Sequence, residues 1–460
     1  MIKFYAPEYR EKVKRLLGLL LPVIATELAM FGMNFFDASM SGQAGPVELA
    51  GTAMAGNLWM PLRAGFGSAL MAGSPIVAQL IGAKKKEEIP KVIQQGLFLA
   101  GIFFVVVLGI FIFVAPFFYD YLQLDANVRH VAYWYGIAVC FGILPFFLVG
   151  PLRVLVDTTG HTDITMKNFL LALPINAVLN YIFIFGWGPV PAYGGIGAGI
   201  ATAITYWILF FLFVYCVVAL PGLKEYGILQ QIRISVSHFK EYVNIGVPIG
   251  FGAFMECGVF ALTAFLIAKF GTVFIAADMA ATNFCTIIYM IPCSISLAST
   301  IVVGIEVGAK RLEDAHCYGV LALQMSFAAA LVYTALESVS FQWIAAIYTT
   351  DVAVAATIVE FMGYGLIWQY FDAVGSPLQG ILRGYKDVKF PFYISVFAFW
   401  MVCLPYGMVC DYLFHRQAFC YWEGINISLC LSSCLLYWRL RIVEKKEKCY
   451  NNGTKVKEEK

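Results

Sequence analysis

The chain has 460 residues, of which 60% are hydrophobic and only 13% charged, with a mean hydropathy of +0.77. Soluble domains carry about 25% charged residues, so this balance excludes an ordinary soluble globule and points to a multi-pass membrane protein. The net charge of +2, with no basic patch, gives no reason to expect a nucleic-acid partner.

The opening stretch MIKFYAPEYREKVKR is polar and basic, so no cleavable leader is expected. Each crossing needs about 20 apolar residues. Twelve helices are predicted, at about 16–40, 47–82, 92–118, 130–156, 164–187, 194–219, 241–268, 274–308, 315–346, 353–382, 389–411 and 418–440. Polar punctuation such as GAKKKEE, QLDANVRH, TTGHTD, GAKRLED and RGYKD separates them. Pro22, Pro61, Pro75, Pro248 and Pro292 predict bends. The twelve Cys lie mostly inside apolar runs, with no CxxC or Cys/His metal spacing, and read as small buried hydrophobes rather than disulfides.

Lys and Arg set the expected orientation. With both termini in the cytosol, 27 of these residues fall inside, and Arg129, Lys269 and Arg416 fall outside. Arg63 lies within a span. The expected location is the plasma (inner) membrane.

The sequence repeats itself at an offset of 226 residues. Pro22 then meets Pro248, Gly32 meets Gly258, Gly45 meets Gly271, Asn57 meets Asn283, and the GAK at 82–84 meets the GAK at 308–310. Chance similarity between apolar segments would not align Pro, Gly, Asn and a charged loop in one register. The fold class expected is therefore an all-α membrane protein, with twelve transmembrane helices in two pseudo-symmetric six-helix lobes around a central cavity. The lobes are expected at 1–220 and 241–441, joined by a basic cytoplasmic linker at 221–240 and followed by a charged, disordered tail at 442–460. Duplicated lobes of this kind belong to transporters that rock one bundle against the other.

Ionisable residues inside apolar runs mark function, since a charge at the bilayer centre costs about 2.5–3.5 kcal/mol on insertion scales. Glu27, Met30, Asn34 and Asp37 fall on one stripe of the first helix. Asp37 reads as a cavity-facing site. Glu27 either faces the cavity or pairs with Arg63 on the next helix. Glu256 and Asp372 are central in helices 7 and 10, with no Lys or Arg in those helix centres, so each must bind a cation, share a proton or reach water. Asp278, near the outer end of helix 8, reads as an interfacial residue. Asn176 and Asn180 share a face of helix 5 at i and i+4, with Thr202 following in helix 6. Together with Asp37 they offer the oxygen-only ligands that a dehydrated hard cation such as Na⁺ requires. The alternative for the asparagines is hydrogen-bonded helix packing.

Several stretches resemble the multidrug and toxic compound extrusion (MATE) family in its bacterial NorM-like branch: PVIATELAMFGMNFFDASMSG, PIVAQLIGA and PINAVLNYIFIFGWGPVPAYGGIGAGIATAITYW in the first lobe, GVPIGFGAFMECGVF and FDAVGSPLQGILRGYKD in the second. The resemblance spans nearly the whole chain. It implies a cation-coupled exporter of organic, mostly cationic drugs, not an enzyme, with Na⁺ or H⁺ as coupling ion and no other cofactor. It matches Asp37, Asn176, Asn180 and Thr202 to the family's first-lobe cation site, with Asp37 the Na⁺ ligand. Glu256 and Asp372 match the acidic pair of the second lobe. Trp368 stands where a Tyr is expected, Met30 where a Gln is usual and Asp278 where a His is common. Glu27, Asn34, Arg63, Trp368 and Tyr370 are the substrate-cavity candidates, the two aromatics offering cation–π contacts. A monomer in a lipid bilayer is expected.

Two rivals remain. A flippase for lipid-linked sugars would want a cavity rich in Arg and Lys, and only Arg63 is available. An intramembrane enzyme would want a nucleophile or metal constellation, yet the five His, at 130, 161, 238, 316 and 415, all lie at helix ends or in loops.

Overall fold

A computed structural model describes residues 7–121, 124–228, 234–414 and 416–451. Among these the chain is helical, with no strand and a single bridge, Trp187 to Val190. Twelve helices are long and apolar enough to cross a membrane, as the hydropathy pattern predicted. They are α1 (Glu8–Ala44), α2 (Pro46–Gly82), α3 (Lys86–Tyr121), α4 (Ala126–Thr158), α5 (Thr162–Phe185), α6 (Gly195–Ala219), α7 (Val236–Phe270), α8 (Thr272–Gly308), α9 (Leu312–Tyr348), α10 (Val352–Gly384), α11 (Lys389–Phe414) and α12 (Phe419–Cys449). Apolar side chains left exposed on single helices, such as Val105, Phe113 and Phe117 of α3, have no soluble explanation. Lipid covers such a surface. The protein is a multi-pass membrane protein.

Several ends differ from the expectation. The first helix starts about two turns before the apolar run, and its Lys12 and Arg15 bond Asp314 (2.5 Å) and Glu306 (3.2 Å). The last helix does not stop near 440: it runs on to Asn451, through the start of the tail expected to be disordered. Glu and Lys are good helix formers, and the extension is anchored by Glu444, 8% exposed, against His316 at 2.7 Å. The rest of that tail, and 229–233 of the expected linker, lie outside the described residues. Of the linker, Pro221–Lys224 forms a short helical turn and Val236 already opens α7.

Pro75 interrupts α2 as expected, whereas Pro61 lies within the unbroken helix Pro46–Leu70. The helix breaks between Leu70 and Gly73, because Pro75 supplies no N–H to the turn before it. The Leu70 carbonyl there accepts a hydrogen bond from the Tyr242 hydroxyl. The internal repeat is written into the backbone too. Lys84 and Lys310 have φ of 58° and 60°, and Gly45 and Gly271 have φ of 151° and 107°. Paired positions thus make the same left-handed turns, which are uncommon for lysine. None of the twelve cysteines, all among the described residues, forms a disulfide, and only Cys434 is exposed.

By contacts the chain forms two compact units. One comprises Leu21–Leu80 and Lys85–Phe254, the other Met1–Leu20, Ile81–Lys84 and Met255–Lys460. The core of the first includes a chain of aromatic contacts through Trp59, Phe66, Phe103, Phe146, Phe147 and Tyr206. In the second, Trp422 packs on Phe361 and Trp368, and Trp368 stacks on Phe260 with ring centres 5.2 Å apart.

Candidate functional site

In the first unit, three helices bring four of the expected residues together. α1 presents Asp37, α5 presents Asn176 and Asn180 one turn apart, and α6 presents Thr202. The Asn180 amide donates to Asp37 Oδ1 at 2.6 Å and the Thr202 hydroxyl donates to Oδ2 at 2.7 Å. Asn180 Nδ2 also reaches Asn176 Oδ1 at 3.2 Å. Asp37 is 9% exposed, Asn176 1% and Asn180 0%. The carboxylate is therefore dehydrated and held by neutral donors. No ion pair to it is found among the described residues. A narrow pocket lies beside it, lined by Met30, Asn34, Asp37, Arg63, Thr202 and Tyr206 among others. Arg63 thus shares the pocket without locking the acid, and its field also acts on Tyr206. Two buried polar atoms of the cluster, Asn180 Oδ1 and Asn176 Nδ2, have no partner. Such orphans are costly in a dry interior.

Glu27 does not pair with Arg63. It accepts from Arg153 Nη2 at 2.9 Å, while Arg153 Nε bonds Asp157 Oδ2 at 3.1 Å and the Thr165 hydroxyl closes the network on Asp157 Oδ1 at 2.6 Å. Arg153, one of the 27 cations expected on the cytosolic side, is 7% exposed and Asp157 4%. Two carboxylates around one guanidinium satisfy each other, which is how charges survive burial. The i, i+4 spacing of Arg153 and Asp157 was the signal for this network in the sequence. Asn34, the other α1 candidate, lines the Asp37 pocket and bonds the Met30 carbonyl at 3.1 Å.

The second unit holds the other acids. On α10 the Trp368 indole N–H donates to Asp372 Oδ2 at 2.6 Å. Both residues line a tight pocket with Cys285, Tyr289, Tyr333 and Gln369. An indole nitrogen donates only, so Trp368 holds Asp372 but offers no lone pair to a cation. Glu256 on α7 is half-buried and lies within electrostatic range of Asp372 and of Arg383. Tyr370 is turned away from this pocket: its hydroxyl bonds Thr334 Oγ1 at 2.7 Å and its ring packs by Phe327. Asp278, expected as an interfacial residue, is packed inside the protein. It is 6% exposed and accepts from the Trp422 indole at 2.8 Å, a partner 144 residues away that its neighbours in sequence do not reveal.

Comparison with known proteins gives the same two-copy organisation. The MatE family profile matches residues 22–182 and 248–409, each half in the register of the internal repeat and together more than half of the chain. The probable multidrug resistance protein NorM of Bacillus anthracis is 39% identical over 447 residues, 96% of this chain and 98% of that protein. Its counterpart in Geobacillus kaustophilus is 40% identical over 437 residues, covering 94% and 95%. Among solved structures, the eukaryotic MATE transporter AtDTX14 superposes with a TM-score of 0.85 at 18% identity, covering 96% of this chain and 98% of that one. An outward-facing multidrug resistance MATE family transporter superposes at 0.85 with 16% identity, covering 95% and 97%. With two family matches in the repeat register and relatives this similar along their whole length, the chain belongs to the MatE family.

Proposed function

We propose that the protein is a cation-coupled antiporter that exports organic, mostly cationic drugs or toxic compounds across the plasma membrane by alternating access of its two lobes, with both termini in the cytosol. The single observation that carries this reading is the state of Asp37: a dehydrated carboxylate, hydrogen-bonded by an amide and a hydroxyl with no ion pair among the described residues, facing a pocket. Relatives across nearly the whole length carry the name multidrug resistance protein, and they support the choice of cargo.

The chemistry follows from the donors. Thr202 and Asn180 stabilise the carboxylate while the site awaits a cation. When a coupling ion enters, the Thr202 hydroxyl turns its lone pair to the ion, and Asp37 with the side-chain oxygens of Asn176 and Asn180 completes a set of hard oxygen ligands. This set favours Na⁺, with H⁺ on Asp37 as the alternative. Either ion cancels the buried charge, which frees α1 to bend at Pro22, where the helix lacks one N–H. A driven exporter needs its ion to bind the two conformations unequally, and a charge that is tolerable in only one of them meets that need. In the second unit, Asp372 and Glu256 draw in a cationic drug, and the Trp368 face offers a cation–π surface. Chain and lipid suffice for this cycle, without a resident cofactor, a nucleic acid or a second copy.

Efflux of a fluorescent organic cation from everted vesicles tests the reading, with a Na⁺ gradient and a pH gradient imposed separately. Efflux driven by one of the two gradients is expected. Efflux indifferent to both ends the proposal.

A further inference from the structure

Glu337 lies on α9, outside every site described so far. It is 3% exposed, and neither carboxyl oxygen has a hydrogen-bond partner. Glu337 is as sealed as any core residue, and a carboxylate in that condition is among the costliest groups a protein can bury.

Its surroundings explain how it is tolerated. Gln369 of α10 lies with its amide against the Glu337 carboxyl, although its N–H is not aimed there. That N–H reaches Cys285 Sγ of α8 at 4.0 Å, and Gln369 Oε1 is also without a partner while the residue is 3% exposed. On α9 itself, one turn before Glu337, the Tyr333 hydroxyl is a further unpartnered group. The titratable groups facing this corner are thus Tyr333 from α9, Cys285 from α8 and Asp372 from α10, with Asp278 of α8 near Cys285. Among the described residues no Lys, Arg or His charge acts on Glu337.

Unpartnered acceptors meeting in a dry corner need a hydrogen between them. We propose that Glu337 is a proton-binding site, in which the carboxyl carries a proton and, with the Gln369 amide turned, donates it to Gln369 Oε1. One proton then satisfies both orphaned groups and removes the buried charge. Cys285, Gln369 and Tyr333 also line the pocket of Asp372, so the proton has an exchange partner: it leaves Glu337 Oε for the Asp372 carboxylate beyond these shared residues, and returns the same way. The site deepens the transport reading, on which its physiological use rests, but the protonation itself does not depend on transport.

The experiment reads protonation directly. Purified protein in nanodiscs is titrated while the infrared C=O stretch of protonated carboxyl groups is recorded. In Glu337→Gln, which keeps the shape and neutrality of the protonated acid, the neutral-pH band should lose one carboxyl's worth of intensity without a drop in melting temperature. Gln369→Met, which removes the acceptor, should shift that contribution to the frequency of an unbonded carboxyl, and it keeps the test open should the first variant fold poorly. A band unchanged in both variants overturns the proposal. A band that responds as described in a protein whose efflux ignores a pH gradient leaves the site standing and counts against proton-driven export alone.

Discussion

Asp37→Asn separates the charge of Asp37 from its shape. The Asn180 amide still donates to the remaining carbonyl oxygen, and the Thr202 hydroxyl rotates to accept from the new NH₂, so both contacts, now at 2.6 and 2.7 Å, survive as neutral hydrogen bonds. Two charge-assisted bonds of about 1.5–3 kcal/mol each become neutral ones of about 0.5–1.5 kcal/mol. The several kcal/mol needed to dehydrate the charge are removed at the same time. The two changes oppose each other, and the fold should shift by no more than about 2 kcal/mol, a few degrees in melting temperature for a large domain. Ion binding behaves differently, because nothing is left for a cation to neutralise. A charge in an apolar interior is worth about 2.5–3.5 kcal/mol, which at 1.4 kcal/mol per tenfold is on the order of a 100-fold loss in gradient-driven efflux. The assay is efflux of a fluorescent organic cation from proteoliposomes, with melting of the same preparation in detergent as the control. A well-folded variant that pumps as fast as its parent refutes the reasoning.

Arg153→Ala strands the buried Asp157 and the half-buried Glu27 and should cost about 3 kcal/mol, read as earlier loss of the monodisperse peak on heating before size exclusion. A mild effect would contradict the assignment of Arg153 as the partner of Glu27. Gly380→Ala places a methyl 2.2 Å from the Ser296 carbonyl oxygen at the crossing of α8 and α10; overpacking there should cost about 1–3 kcal/mol, visible in the same melt. Trp368→Phe keeps a ring on Phe260 but deletes the donor to Asp372. It should destabilise by about 1.5–3 kcal/mol in denaturant titration, and an unchanged midpoint would mean that water replaces the indole. If Na⁺ binds at Asp37, NaCl at 100 times its dissociation constant stabilises the parent by about 2.7 kcal/mol over choline chloride, and Asn180→Leu abolishes that difference.

What was legible in the sequence was local or repeated. Apolar runs the length of a bilayer specify spans without reference to anything distant, and the 226-residue register exposes the duplication. Asp37, Asn176, Asn180 and Thr202 were legible because unusual polar residues in apolar runs have few uses, and three helices do place them in contact. Partners set by tertiary packing were not. Glu27 suggested Arg63, on the adjacent helix, whereas its partner Arg153 is 126 residues away. Asp278 near a helix end looked wet, and only the approach of Trp422 makes it dry. Glu337 was overlooked among the Ser and Thr of its helix, although no Lys or Arg stands between Leu312 and Tyr348 to neutralise it. The last helix outran its apolar segment because hydropathy marks where lipid ends, while helix formation continues wherever backbone bonds and a side contact such as Glu444 to His316 sustain it.

That last helix has a practical consequence for imaging. A transporter with little mass outside its bilayer offers few landmarks for aligning single particles. Because α12 continues as helix beyond its apolar part and is pinned by Glu444 and by Arg439 on Asp387 at 2.6 Å, a soluble helical protein fused in register near Lys448 would inherit its direction. Such a fusion would give particles a rigid fiducial without an antibody fragment.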